Sequence, residues 1–467
     1  MSNAQRGDAL SVPRNDSAET LGVPRTRVVS WAMWDWGSAA FNAVVTTFVF
    51  STYLASGAFF APEVAALPED APGRVAAEAQ NASVVGVALT IAGVLIALIA
   101  PVLGQRSDGS GRRKLWLGIN TAAVVAAMLA MFFVAPDQQF LVLGAALLAV
   151  GNVFFEFASV NYNAMLMQVS TPTTLGRVSG FGWGMGYIGG IVLLLLLLAL
   201  FIGDTLGIPD GGLLGLPTSV EGGVLSVRVA IVAAAVWFAV FALPVLFAVP
   251  EIPRVRRSNS VSVLGSYRAL AGTIARLARR SPHVLLFLGA SAVFRDGLAG
   301  VFTFGAIIAA QVFGFSFGEV LTFGVAANVV AGIGTFAGGW LDDKIGAKAV
   351  IIGSLLGLVI AGSAVLFLGD AKTGFWVCGL FLCLFVGPVQ AASRGFLARI
   401  TPAGREGELF GLYATTGRAV SFLAPGLFSL FVWLTGDTRY GILGIVLVLL
   451  AGLLLMLPVK ARPAVID

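Results

Sequence analysis

Six ionisable side chains interrupt segments that are otherwise apolar: Asp35, Glu156, Arg295, Asp296, Arg394 and Arg418. Each costs about 2.5–3.5 kcal/mol at the middle of a lipid bilayer. Three are acidic and three basic, so the set can neutralise itself. Charges that can pair but sit on different segments suit a network that breaks and re-forms. They also suit a zwitterionic guest. A guanidinium on Arg394 or Arg418 would take a carboxylate through two parallel hydrogen bonds. Glu156 or Asp296 would take an ammonium. Arg295 and Asp296 are adjacent, so they point different ways round a helix and need separate partners. Asp35 is flanked by Trp34 and Trp36, which suit an interfacial belt of indoles. Its carboxyl would hold a proton when desolvated and lose it beside a cation, tying protonation to conformation. The structural alternatives are internal salt bridging without a guest and capping of the first helix by Asp35. Asn42, Asn152, Asn163, Asn328 and Gln390 are uncharged candidates for the same wall, with interhelical hydrogen bonding as their other role.

A second constellation occurs twice. Gly104, Asp108, Gly111, Arg112 and Arg113 lie in the run Gly104-Gln-Arg-Ser-Asp-Gly-Ser-Gly-Arg-Arg-Lys114. Gly339, Asp343, Gly346 and Lys348 lie in Gly339-Trp-Leu-Asp-Asp-Lys-Ile-Gly-Ala-Lys348, at one constant offset. Each copy is read as a loop between two apolar segments. A carboxylate beside basic residues there can latch onto a neighbouring helix in one conformation and release it in another. The glycines permit a tight turn and close approach. A solvated basic loop is the plainer alternative, but a pair at one offset favours the latch.

The elements that hold these residues follow from composition. Of 467 residues, 58% are hydrophobic and 11% charged, against about 25% charged in a soluble domain. Lipid must be the solvent. Twelve segments reach the length of about 20 residues that a spanning helix needs. The expected division is a disordered tail over 1–29, a six-helix bundle over 30–249, a basic linker over 250–282, a second six-helix bundle over 283–458 and a tail over 459–467. A long acidic loop is expected over 61–80. The linker stretch Leu264 to Arg280 interleaves arginines with helically spaced apolar residues, as in a helix lying on the membrane surface. With the N-terminus inside, 22 of the 29 basic residues fall on the cytoplasmic side, so both termini are expected there.

Other classes fit less well. The basic residues are scattered between apolar segments, so the net charge of +5 says little about nucleic acid, and no nucleic-acid partner is expected. One histidine, His283, and two cysteines, Cys378 and Cys383, offer neither a metal site nor a disulfide framework. His283 is placed at the membrane edge. No nucleophile–base pair and no phosphate-binding loop is visible. No cofactor, no metal and no enzymatic role are expected. Gly182, Gly186 and Gly190 give the fifth span a smooth face for close packing.

The repeated run resembles the loop signature of the major facilitator superfamily. The second copy departs from it, with Ala347 at a usually basic position. Further runs are similar to the branch called Unknown Major Facilitators, which includes fungal vacuolar effluxers linked to autophagy. These are Trp34-Asp-Trp-Gly-Ser-Ala-Ala-Phe41, Asn161-Tyr-Asn-Ala164, Gly176-Arg-Val-Ser-Gly180, Arg295-Asp-Gly297, Gln390-Ala-Ala-Ser-Arg394 and Glu408-Leu-Phe-Gly-Leu-Tyr413. The resemblance implies an all-α membrane protein with twelve transmembrane helices in two pseudo-symmetric six-helix bundles. Its fungal members imply export of neutral amino acids. Phe294-Arg295 replaces the branch's usual Tyr-Asn, and Glu156 is an unexpected acid, so added charge points to a different substrate. The combined expectation is a monomeric secondary transporter in a bacterial plasma membrane. It would move a small polar, amino-acid-like solute outward by alternating access, driven by protons. Multidrug efflux and lipid scrambling are the alternative readings.

Overall fold

In lipid every backbone polar group must be satisfied internally, which a helix does within one segment. The computed structural model describes residues 23–68, 71–203, 208–251, 263–315, 317–367 and 371–465. Twelve of its helices are long and apolar enough to cross a bilayer. The first six are α1 (Arg25–Ala55), α2 (Pro72–Ser110), α3 (Arg113–Met131), α4 (Gln138–Ala164), α5 (Leu175–Ile202) and α6 (Leu225–Ala248). A surface helix, α7 (Val263–Arg280), follows. The second six are α8 (Pro282–Gln311), α9 (Phe317–Ile345), α10 (Ala347–Leu366), α11 (Lys372–Ile400), α12 (Glu406–Thr435) and α13 (Thr438–Met456).

The two sets of six pack as equivalent bundles. In the first, α1 lies against α5 and α6, and α4 against α2 and α3. In the second, α8 lies against α12 and α13, and α11 against α9 and α10. The bundles join through two equivalent seams, α2 with α12 and α9 with α5. Both seams depend on missing side chains. A Cβ on Gly104 would stand 1.9 Å from the carbonyl oxygen of Gly407. A Cβ on Gly180 would stand 2.9 Å from Gly339 Cα. Backbones therefore touch directly, as small residues allow between helices in lipid.

Several expectations need correction. The repeated runs are helix for most of their length, because α2 continues to Ser110 and α9 to Ile345. Each turn shrinks to one or two residues around Gly111 (φ 64°) and Gly346 (φ 87°), a left-handed backbone that favours glycine. The expected 61–80 loop contains a short helix, Pro62–Ala65, and α2 already starts at Pro72. Most of the expected N-terminal tail, residues 1–22, and linker residues 252–262 lie outside the described residues, while α1 starts at Arg25. Trp34 is buried rather than interfacial and donates to Thr121 Oγ1 at 3.1 Å. Several spans are irregular, and α5 ends in a π-helical stretch over Leu198–Ile202. α1 widens into a π-helical stretch over Ala40–Phe48, and α12 breaks at Val420–Phe422.

The seam geometry predicts the effect of one methyl group or more at Gly104. Ser107 is fully buried beside it. In a background lacking Cys378 and Cys383, a cysteine at Ser107 should react slowly with a water-soluble maleimide. Adding Gly104→Val should speed that reaction about tenfold, since overpacking costs ~1–3 kcal/mol. An unchanged rate would show that the seam tolerates bulk.

Candidate functional site

The seams end in a pair of equivalent caps. The start of a helix leaves four backbone N–H groups without partners, and a carboxylate answers both their hydrogen bonds and the helix dipole. Asp108, on α2, accepts from the N–H groups of Gly407 and Glu408 at the start of α12, both at 2.9 Å. Asp343, on α9, accepts from Gly176 N at 2.7 Å and Arg177 N at 3.1 Å at the start of α5. Each carboxylate of one bundle thus closes a helix of the other. Arg113 secures the first, donating from Nε to Asp108 Oδ1 at 2.9 Å and also reaching Glu406. The second is secured differently. Lys348 turns away to the carbonyl of Leu457, and Arg177 takes its place at 2.8 Å from Asp343. Arg399 adds a bond to Asp342 at 2.6 Å. Arg112 is exposed and makes no part of either cap.

Deeper in the molecule, Asp35 on α1 meets Arg394 on α11 at 3.3 Å, again across the two bundles. Tyr162 donates to the same Asp35 oxygen at 2.8 Å. Its ring is fixed between Trp31 and Trp34, stacked at 4.5 and 4.4 Å. Arg394 spends the rest of its guanidinium on Asn163 Oδ1 (3.2 Å), Ser179 Oγ (3.0 Å) and the Ser179 carbonyl (2.6 Å). Its side chain is only 4% exposed. Gly182 makes room for the pair, since a Cβ there would lie 2.9 Å from Asp35 Oδ2 and 2.7 Å from Trp31.

A second pair bridges the bundles nearby. Arg418 on α12 donates to Glu156 Oε2 and Asn152 Oδ1 on α4, each at 3.2 Å. The Arg418 side chain is 35% exposed and that of Glu156 19%. The neighbouring arginine, Arg295, lies over the Tyr413 ring at 3.9 Å and donates to the Tyr413 carbonyl at 3.1 Å. Gly417 gives the Arg295 guanidinium room, since a Cβ there would lie 3.2 Å from its Nη1.

Other candidates fall elsewhere. Asp296 accepts from Ala424 N at 2.6 Å and so caps the second piece of α12 where that helix breaks. It is placed as a structural cap rather than beside Glu156. Asn42 is exposed in the π-helical stretch, and its carbonyl takes the hydroxyls of Thr46 and Thr47. Gln390 is half-buried, one turn before Arg394 on α11. Asn328 bonds back to Gly324 within α9. Sequence reasoning missed the Ser179, Tyr162 and Glu406 partners and the Asp342–Arg399 pair. Ser179 and Tyr162 lay within the runs that carried the resemblance, but their roles depend on contacts between distant segments.

Twelve spans in two equivalent bundles, capped across their seams, define a membrane transporter of the major facilitator fold. Among solved structures, the proton:xylose symporter XylE bound to 6-bromo-6-deoxy-D-glucose superposes with a TM-score of 0.70 at 13% identity. The match covers 94% of this chain and 97% of that one. A bacterial homologue of the iron transporter ferroportin, in an outward-facing state, gives 0.64 at 15% identity, over 94% and 99%. Residues 24–465 match the family described as "Vacuole effluxer Atg22 like", and the chain belongs to that family. An uncharacterized MFS-type transporter of Bacillus subtilis, YxiO, is 24% identical over 91% of this chain and 93% of its own. Autophagy-related protein 22 of Cryptococcus neoformans is 27% identical over 62% of this chain and 53% of its own.

The caps predict a stability cost. Asp108→Ala and Asp343→Ala should each lower stability by about 1–2 kcal/mol, the usual worth of a lost N-cap. Unfolding in detergent by heat or denaturant measures this. Wild-type stability in both variants would remove the caps from the account.

Proposed function

We propose that the protein carries a small zwitterionic, amino-acid-like solute by alternating access, with proton coupling through Asp35. The observation that supports this most is the contrast between the two arginine pairs. Arg394 is enclosed, with its donors taken by Asp35, Asn163 and Ser179. Arg418 is partly open and faces an acid, Glu156, at 3.2 Å. A zwitterion can enter such a pair, its carboxylate on Arg418 and its ammonium on Glu156. Both charges of the guest are then met, which offsets the cost of splitting the pair. Because the pair spans the two bundles, its opening also loosens one contact between them. The carboxylate anchor thus moves from Arg394, the first candidate in the sequence, to Arg418.

Arg394 serves the switch instead. Protonation of Asp35 removes the charge that holds Arg394 from the other bundle and leaves the guanidinium with uncharged acceptors only, Asn163 and Ser179. The caps at Asp108 and Asp343 then face a weaker closure in series with them. Under the reading of basic residues given above, the capped end is cytoplasmic, and the arrangement with both caps made is closed at that end. A bacterial plasma membrane is the proposed membrane of residence, in keeping with the Bacillus subtilis relative.

Counterflow in proteoliposomes tests the proposal. Wild-type protein loaded with an unlabelled amino acid should transiently accumulate the labelled one without any ion gradient. Arg418→Ala should weaken apparent affinity on the order of 10–100-fold, as for a lost charged hydrogen bond. Asp35→Asn should keep counterflow but lose accumulation driven by a pH gradient. Wild-type affinity in Arg418→Ala would move the anchor elsewhere. Gradient-driven accumulation by Asp35→Asn would reject Asp35 as the coupling group.

A further inference from the structure

The surface helix α7 carries four arginines, Arg268, Arg276, Arg279 and Arg280, and no acidic residue. Its side chains divide into three sectors. Ser266, Leu270, Thr273 and Leu277 are buried against the bundles. Leu264, Tyr267 and Ile274 form an apolar flank that remains exposed, Leu264 at 65%. Arg268, Arg279 and Arg280 are exposed on the other side. Arg276 is half-buried between, bonded to Thr273 Oγ1 at 3.1 Å, while its Nε is buried without a partner among the described residues.

The helix is held in place from two directions. Tyr267 Oη donates to the Leu98 carbonyl on α2 at 3.0 Å. Arg405, just before α12, donates to Thr273 at 3.3 Å. More positive charge lies at its end. The backbone N–H of Val465 donates to Ser281 Oγ at 2.8 Å, and His283 bonds the Arg462 carbonyl at 2.9 Å. These contacts draw the exposed Lys460 and Arg462 towards Arg279 and Arg280.

A soluble partner would leave the apolar flank wet, and a purely hydrophobic partner would leave the arginines unmatched. An anionic phospholipid meets both demands, with acyl chains along Leu264, Tyr267 and Ile274 and the headgroup phosphate on the arginines. We propose that α7 is a binding site for anionic phospholipid in the leaflet at the capped end. This does not depend on which solute is carried.

Native mass spectrometry of the full-length protein, in micelles doped equally with phosphatidylglycerol and phosphatidylcholine, reads the preference directly. The wild type should retain phosphatidylglycerol over phosphatidylcholine. The triple variant R268Q/R279Q/R280Q should lose that preference by on the order of 10–100-fold. The variant R25Q/R112Q removes two exposed arginines elsewhere at this end and should behave as wild type. Soluble glycerol phosphate should not displace the lipid. The proposal is overturned if the triple variant keeps the wild-type preference or the control variant loses it equally. Displacement by glycerol phosphate would overturn the acyl-chain half of the site.

Discussion

A carboxylate from one bundle closing the first turn of a helix in the other is the contact on which the closed end depends. The N–H groups at the starts of α5 and α12 need acceptors, and the bilayer supplies none. Asp343 and Asp108 supply them from across the seam. If the bundles part at this end, those N–H groups meet interfacial water instead. The exchange is close to balanced, since a hydrogen bond made to protein replaces one made to water. That balance is what a gate requires. While the seam is closed both carboxylates are buried in it, the Asp108 side chain 5% and the Asp343 side chain 7% exposed.

The rest of the structure serves or exploits this balance. Glycines at Gly104, Gly180 and Gly339 bring the backbones close enough for short carboxylates to reach. Asp35–Arg394 and Glu156–Arg418 add two charged ties between the same bundles, deeper in the molecule. Removing one partner of such a tie leaves a charge in low dielectric, so each is costly to break unless a proton or a guest compensates. Asp296 holds the break in α12 a few residues beyond Arg418. The helix that carries the proposed anchor is therefore segmented beside it, where a change in backbone direction costs least.

Much of this was legible in the amino-acid sequence. The spans follow from local hydropathy, and the twin caps from two runs at one offset. Four of the six charges in apolar segments, Asp35, Glu156, Arg394 and Arg418, make the ties, and lipid makes each of them expensive. Their pairing was not legible, since Asp35 and Arg394 are joined only by packing between bundles. The second copy lacks a basic residue at Ala347, yet Arg177 and Arg399 come from other helices to supply its cations. Trp34 looked interfacial because indoles often are, but stacking with Tyr162 buries it. Pro425 was a local sign of the break in α12, since proline cannot bond back to the preceding turn. The widened stretch of α1 had a fainter sign in Thr46 and Thr47, whose hydroxyls compete for the Asn42 carbonyl.

The central claim is that charged ties between the bundles set how often the capped end opens. Electron–electron double resonance between spin labels at Arg112 and Ala403, both exposed at that end, tests it directly. The account predicts one short distance in the wild type. A second, longer population should appear in Asp35→Asn and grow further in Arg394→Ala. Identical single distances in all three proteins would contradict it.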